Sequence, residues 1–357
     1  MANNISTRDV SFDAFRGICI IAVIAIHAAT SAWGWYGKPS GSWNYYTVVL
    51  LKQLYVFAVP AFFFMAGYFS VSKTALGIRQ SVHKTVTKLK RILLPYVIWS
   101  LFSALVISKN YNVIDFGKNL LMGKAQGPYY FLIVLTIFIL LTPLFQKLTQ
   151  TKNGLSLILA VNTVTLVLVY YFRFTLTKDF SWYHAAIPFT TWILFYYLGM
   201  TTRQKKRDSK NSYVLPFINT ERKALFFVLI SLALCLLETI LIVLFYGRHG
   251  GADSEIKLST FLYSISIISY FFFLKQKIKK WPQILIYIGE CSFGIYLIHE
   301  FFRVKLSSFW GGLPILPSVQ PLLQMFVIGS TLLVCLGTIY ATRKILGKRI
   351  AATYLGF

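Results

Sequence analysis

The sequence predicts an all-α, polytopic membrane protein with about ten transmembrane helices and both termini in the cytoplasm. Three observations favour this class. The 357 residues are 56% hydrophobic and only 13% charged, a composition that lipid solvates well and that a fully wet protein surface does not tolerate. The apolar residues form long runs that short basic clusters separate. Because the net charge of +25 lies in those clusters and not along one soluble face, nucleic acid is not an expected partner.

Each apolar run is close to the ~20 residues that cross ~30 Å of hydrocarbon as a helix. Several runs contain proline, which membrane helices tolerate when neighbouring helices satisfy the freed backbone groups. The expected spans are residues 12–31, 50–71, 92–108, 128–146, 154–172, 185–201, 223–245, 258–274, 283–302 and 320–342.

The basic residues set the expected orientation. They concentrate in alternate loops, such as those between Lys73 and Arg91 and between Arg203 and Lys223. Placing those loops in the cytoplasm satisfies the positive-inside rule and puts both termini there. The whole of 1–357 is then expected to be one membrane domain without an appended soluble domain. The alternative that the first helix is a signal peptide cleaved after "TSA" (Thr30–Ala32) fits the charge alternation less well.

The four cysteines all fall inside apolar runs, without the spacing of a metal site or a disulfide framework. Such cysteines behave as small core residues. We therefore expect no metal site at Cys19, Cys235, Cys291 and Cys335.

The first span, "FDAFRGICIIAVIAIHAATSA" (Phe12–Ala32), holds two ionisable residues. On a helix, the eleven residues from Arg16 to His27 correspond to ~16 Å of rise and to nearly the same face, within ~20°. Arg16 could simply reach the headgroups, and His27 could be a hydrogen-bonded core histidine. Ionisable residues at this depth more generally mark a cavity or a partner.

An acyl-coenzyme A is a ligand that fits a cation near the cytoplasmic surface and a histidine further out. Its phosphates need fixed cations, and its thin pantetheine arm could carry a thioester across much of the membrane. Histidine suits the far end, because its pKa near 6.5 lets it accept a proton at ambient pH.

The Arg16-x₁₀-His27 pair resembles the signature of the membrane-bound acyltransferase family 3. Further segments resemble the family in the right order along nearly the whole chain. They are "VPAFFFMAGYFSVSK" (Val59–Lys73), "KLKRILLPYVIWS" (Lys88–Ser100), "YYFLIVLTIFILLTPLF" (Tyr129–Phe145), "FYYLGMTTRQ" (Phe195–Gln204) and "IGECSFGIYLIHEFF" (Ile288–Phe302).

The resemblance implies a ten-helix enzyme that transfers an acyl group, usually acetyl, from cytoplasmic acyl-CoA to a hydroxyl of an extracytoplasmic glycan. It implies that His27 is the catalytic histidine, that Arg16 is its partner in the motif and that acetyl-CoA is the donor. The implied location is the cytoplasmic membrane of a bacterium. Expected partners are acyl-CoA, the glycan acceptor, membrane lipid and a polysaccharide synthase.

Cations of the second cytoplasmic cluster are expected to hold CoA phosphates together with Arg16. They are Lys84, Lys88 and Arg91, of which the last two occupy the family's basic pair. The first position of that pair, Lys88, departs from the family pattern. The ammonium of lysine is a point charge, whereas the guanidinium of arginine is a planar fork that can form two parallel hydrogen bonds. The remaining clusters serve topology and anionic lipid.

Four further polar residues in the spans are candidate site residues. Glu238 lies at a depth comparable with His27 and is expected either to orient that histidine or to pair with a cation such as Lys52. Lys52, His299 and Glu300 are candidates for binding the acceptor. Because His299 and Glu300 are adjacent on a helix, they point ~100° apart, and His299 is the one expected to face inward.

Two mechanisms and two rival functions stay open at this stage. His27 acts as general base in a direct transfer, or it carries the acyl group covalently. The first rival is an exopolysaccharide exporter or flippase, which would need a wide polar path that the few deep charges do not provide. A lipid-binding structural protein is the second rival.

Overall fold

The computed structural model describes residues 9–31, 43–71, 78–107, 112–175, 182–208, 214–215, 217–246, 251–313 and 319–357, and in them every regular element is helical. The all-α prediction is therefore confirmed for this part of the chain. Three residues used in the sequence predictions lie outside the described residues. They are Arg8, the basic residue before the first span, Ala32 of the "TSA" site, and Lys73 at the end of the first quoted family-like segment.

Fifteen α-helices are numbered here in chain order. They are α1 (Val10–Ser31), α2 (Trp43–Gln53), α3 (Ala58–Ser70), α4 (Ile78–Phe102), α5 (Val113–Met122), α6 (Tyr130–Leu148), α7 (Gly154–Thr175), α8 (Trp182–Ala186), α9 (Ile193–Asp208), α10 (Glu221–Tyr246), α11 (Leu258–Lys277), α12 (Gln283–Glu290), α13 (Ser292–Gly311), α14 (Gln320–Leu346) and α15 (Lys348–Ile350).

Eight helical segments among the described residues are long and apolar enough to cross a membrane, and a bent pair makes nine. The bent pair is α12 with α13, which meet at 78°. A polytopic membrane protein is thus confirmed. The ninth expected span differs from the straight helix of the sequence prediction, because the chain turns at Cys291 between the two halves.

The sixth expected span, 185–201, departs further from the single helix that the sequence predicts. The chain there forms the short α8, a 3₁₀ turn beginning after Pro188 and then α9. Proline disfavours the helical conformation of the residue before it, so the apolar run breaks at this point. The first turns of α9, Ile193 to Met200, are buried. This part of the apolar run therefore packs against protein and not against lipid.

Helix α1 lies at the centre of the bundle, where it packs against α3, α12, α13 and α14. Two glycines let α1 and α12 touch backbone to backbone. A Cβ on Gly17 would collide with the carbonyl of Leu285, and one on Gly289 with the carbonyl of Asp13. Small residues at such crossings are how membrane helices gain close packing. This contact fixes the α1 face that carries Arg16 and His27.

A second glycine pair joins α3 to α9. A Cβ on Gly67 would collide with the carbonyl of Tyr196, and one on Gly199 with the carbonyl of Phe64. The contact explains how the short α9 is held inside the bundle. It also places the aromatic residues of α3 beside α1.

Candidate active site

A cavity of about 280 Å³ lies between α1, α3, α6 and α13. Arg16 and His27 both line it, so the two ionisable residues of α1 face one continuous space. Most of the wall is apolar, including Val59, Phe62 and Leu135. The polar side chains in the wall are Arg16, His27, Tyr130, Glu255, Ser292 and Tyr296.

Arg16 is held by its own helix and by an aromatic ring. Its Nη1 donates to Asp13 Oδ1 at 2.8 Å, and the Asp13 side chain is only 2% exposed while that of Arg16 is 33% exposed. The guanidinium also lies over the Phe69 ring, 5.0 Å from the ring centroid. Arg16 is therefore fixed in orientation yet open toward the cavity.

Two further cations, Arg203 and Lys275, lie over rings of the aromatic cluster that Arg16 contacts. Phe12, Tyr68 and Phe69 contact one another, with ring centroids 4.8–5.3 Å apart. Arg203 lies 5.1 Å from the Tyr68 centroid and donates to its hydroxyl at 3.2 Å. Lys275 lies 4.2 Å from the Phe12 centroid and pairs with the Asp9 carboxylate. Three cations and the two carboxylates of Asp9 and Asp13 therefore surround the aromatic cluster at the Arg16 end of the cavity.

The other end of the cavity holds His27, with two α13 residues beside it. The ring centroids of His27 and His299 are 5.4 Å apart. Glu300 interacts electrostatically with His27 and accepts two hydrogen bonds from Arg303, at 2.8 and 2.5 Å. Both neighbours on α13 thus approach His27, whereas the sequence argument expected only one of them to face inward.

Lys52 forms a buried ion pair near this end. Its Nζ lies 2.9 Å from Asp253 Oδ2 and 3.5 Å from Glu255 Oε1. Burial alone would raise the pKa of the Asp253 carboxyl, but the Lys52 ammonium lowers it below its usual range. The ion pair therefore fixes the loop before α11, from which Glu255 reaches the cavity wall.

Glu238 lies in a different polar assembly, which we call the loop cluster: Glu238, Arg173 and Lys257 with their partners. Glu238 accepts a hydrogen bond from Tyr170 and one from the Ser259 backbone N–H at 3.1 Å. It is not among the residues that line the cavity. The structure thus assigns it a visible role in holding the first turn of α11, beside the catalytic role that the sequence suggested.

The CoA-binding candidates of α4 are exposed on its first half. Lys84, Lys88 and Arg91 are all exposed, and Ile92, the residue after Arg91, lines the cavity. The α4 cations therefore lie beside the cavity without entering its wall.

Sequence reasoning missed Asp253 and Glu255, because both lie in a loop between two apolar runs. The signal that could have found them is the segment "GADSEIKLS" (Gly251–Ser259), which joins two acids and a lysine to the start of a helix. In the structure Glu255 is 5% exposed and Lys257 is fully buried.

This geometry defines a membrane protein with a cation at one end of an internal cavity and a histidine at the other. The family model described as "Acyltransferase domain", that of acyltransferase family 3, matches residues 9–341. The chain belongs to this family, so the resemblance found in the sequence motifs is confirmed.

A relative of the chain is the Bacillus subtilis protein named "Putative membrane-bound acyltransferase YfiQ". It is 24% identical over 300 residues, which are 79% of this chain and 78% of the relative. No solved structure matches the chain. Acyl transfer by a membrane-bound enzyme is accordingly the activity that the family and the relative support.

Proposed function

We propose that the protein transfers an acyl group, acetyl in the simplest case, from acyl-CoA across a bacterial cytoplasmic membrane to a glycan hydroxyl on the outer side. One observation carries the proposal: Arg16 and His27 line the same cavity, ~16 Å apart along α1. An acyl donor can be anchored at one end while its thioester reacts at the other.

The donor's phosphates fit the Arg16 end. Arg16, Arg203 and Lys275 lie over one aromatic cluster at that end, and α4 adds the positive charges of Lys84, Lys88 and Arg91. Cations bind phosphate through charge-assisted hydrogen bonds, which are the stronger class. The mostly apolar wall of the cavity suits the pantetheine arm better than a sugar.

The acceptor hydroxyl meets the thioester at His27. The imidazole takes the hydroxyl proton while the hydroxyl oxygen attacks the thioester carbonyl carbon. The C–S bond then breaks, the new ester leaves with the acceptor, and His27 returns the proton to the CoA thiolate. Glu255 is the polar group in the cavity wall that we propose holds the acceptor, and Lys52, His299 and Glu300 lie behind Glu255 and His27 as their neighbours.

The exporter hypothesis is supported less well. A polysaccharide path needs a wide polar channel, and the cavity of about 280 Å³ has a mostly apolar wall. A polysaccharide synthase remains a proposed partner of the enzyme, because the acceptor glycan is proposed to be an exported one.

The test uses purified full-length protein and radiolabelled acetyl-CoA. We expect wild type to bind CoA and to release acetate slowly to water. His27→Ala should bind CoA without turnover, and Arg16→Ala should lose binding. Arg222→Gln, an exposed arginine of α10, is the matched control and should behave as wild type. Folded wild-type protein that neither binds CoA nor releases acetate would overturn the proposal.

A further inference from the structure

The buried imidazole of His299 uses one of its ring nitrogens, and the other has no partner in the part of the chain that the structure describes. Its Nδ1 lies 2.8 Å from the carbonyl oxygen of Tyr296 and 3.2 Å from that of Ile295. Its Nε2 is buried and has no hydrogen-bond partner among the residues that the structure describes. The side chain is 0% exposed, so bulk water does not reach that nitrogen.

The two carbonyls determine the tautomer of His299. A carbonyl oxygen only accepts, so Nδ1 carries the proton that the two carbonyls share. A neutral imidazole with its proton on Nδ1 has a lone pair on Nε2, which can therefore only accept a hydrogen bond. A buried acceptor without a donor costs free energy, and most such groups in proteins are satisfied.

The donor that this lone pair needs is not Tyr296. The Tyr296 ring is near His299, at 6.0 Å between centroids, but its hydroxyl donates to the Pro128 carbonyl. Tyr129 donates its hydroxyl proton to the Leu297 carbonyl at 2.7 Å. His27 is the next ring, at 5.4 Å between centroids.

We propose that His299 is a positioning residue that sets the tautomer of His27 by accepting its N–H. The His27 nitrogen that faces α13 then holds the proton, and the other nitrogen presents a lone pair to the cavity that His27 lines. A base oriented by a third group is the general arrangement of activated catalytic sites. The structure records no hydrogen bond at His299 Nε2 among the described residues, so a small rotation of either ring has to complete the contact, since catalytic hydrogen bonds are often long before substrate binds.

Glu300 has a separate part in this arrangement. Its carboxylate interacts with the His27 ring while Arg303 holds it from the same helix. When His27 takes the acceptor's proton it becomes a cation, and a fixed carboxylate nearby stabilises that cation. His299 thus orients the proton on the His27 ring, and Glu300 stabilises the positive charge that His27 gains. The proposal rests on the proposed role of His27 as a base.

Two amide substitutions separate the nitrogens of His299. An Asn side chain places its amide two bonds beyond Cβ, where Nδ1 stands, so His299→Asn keeps a donor for the two carbonyls. A Gln side chain places its amide three bonds beyond Cβ, where Nε2 stands, so His299→Gln keeps an acceptor for His27. His184→Asn, on the exposed His184 of α8, is the matched control.

We expect His299→Asn to lose acetyl-CoA turnover about 10²-fold, at the lower end of what a general base contributes, and His299→Gln to retain most of it. A structural role of Nδ1 alone would give the reverse order. Near-wild-type turnover in His299→Asn, or equal loss in both variants with the fold retained, would overturn the proposal.

A second readout does not depend on turnover. In protein labelled with ¹⁵N-histidine, NMR shifts report which ring nitrogen of His27 is protonated. We expect one neutral tautomer in wild type and a mixture in His299→Asn; an unchanged His27 spectrum would overturn the proposal. If the spectra change as expected but wild type does not bind CoA, the proposed donor is wrong and the positioning role stands.

Discussion

Two buried polar assemblies in one bundle differ in how their hydrogen bonds are satisfied. In the loop cluster, Lys257 donates to Gln53, Thr239 and the Ala252 carbonyl, and Arg173 donates to Ser254 and the Ile256 carbonyl. The second assembly, which we call the cavity group, comprises His27, His299, Glu300 and Glu255. His27 and Glu255 of this group line the cavity, and the Nε2 of His299 has no hydrogen-bond partner among the described residues.

The difference indicates which assembly stabilises the fold and which is suited to a reaction. The three charged side chains of the loop cluster, Glu238, Arg173 and Lys257, all have hydrogen-bond partners within the protein, so no ligand is needed to explain them. The cavity group combines ionisable side chains with free space, which is the usual arrangement of a binding or catalytic site. The loop cluster therefore holds the residues before α11 in place, and the cavity group is where we propose that the reaction takes place.

The largest expected effect within the cavity group is that of His27→Ala. A general base contributes roughly 10²–10⁴-fold to a rate, so acetyl transfer should fall by at least about 10²-fold. The measurement is acetate release from labelled acetyl-CoA at equal protein concentration. Thermal unfolding close to that of wild type serves as the control. Normal turnover in this variant would remove His27 from the mechanism.

Arg16→Gln should mainly weaken donor binding. A hydrogen bond to a charged group contributes about 1.5–3 kcal/mol, so the Kd for CoA should rise roughly 10–100-fold. Equilibrium binding of CoA measures this directly. Comparison with CoA lacking its 3′-phosphate then tells which phosphate the guanidinium meets, and an unchanged Kd for both would contradict the assignment.

Replacing one glutamate from each assembly tests whether the two assemblies differ in function. Glu255→Gln should lower turnover roughly 10-fold, the effect of losing one charged hydrogen bond. Glu238→Gln should lower thermal stability while the folded protein keeps its turnover within about twofold, because an amide oxygen still accepts from Ser259. Turnover lost in Glu238→Gln at wild-type stability would restore the catalytic role that the sequence suggested for Glu238.

The smallest expected effect concerns acid stability. The folded-state pKa of Asp253 is lowered by Lys52, so the ion pair stabilises the fold above the unfolded-state pKa near 3.9. That stabilisation is lost as pH falls through the lower folded-state value. Asp253→Asn should therefore cost about 1 kcal/mol at pH 7 and progressively less below about pH 4. Chemical unfolding at several pH values measures it, and a pH-independent difference would contradict the assignment.

Local patterns in the sequence predicted what depends on local geometry. The helical period alone places Arg16 and His27 on one face of α1, and both line the cavity. The hydropathy runs also located most spans. Contacts between distant segments were not predictable in this way, because no local pattern encodes them.

Lys52 is the clearest example of such a distant contact. The sequence offered Lys52 as one cation that could pair with Glu238, and the structure pairs Lys52 with Asp253 and Glu255 instead. Those two acids stand in a short loop that hydropathy leaves outside the membrane. The sixth span failed for a local reason, the chain break at Pro188, which its apolar composition concealed.

In the proposed mechanism, an acyl group passes from the Arg16 end of the cavity to the His27 end. Sealed membrane vesicles that contain the enzyme and its native glycans, supplied with labelled acetyl-CoA on the cytoplasmic face alone, test it most directly. We expect labelled ester on glycan at the opposite face, and none with His27→Ala. Ester that forms only on the side where acetyl-CoA is added would contradict it.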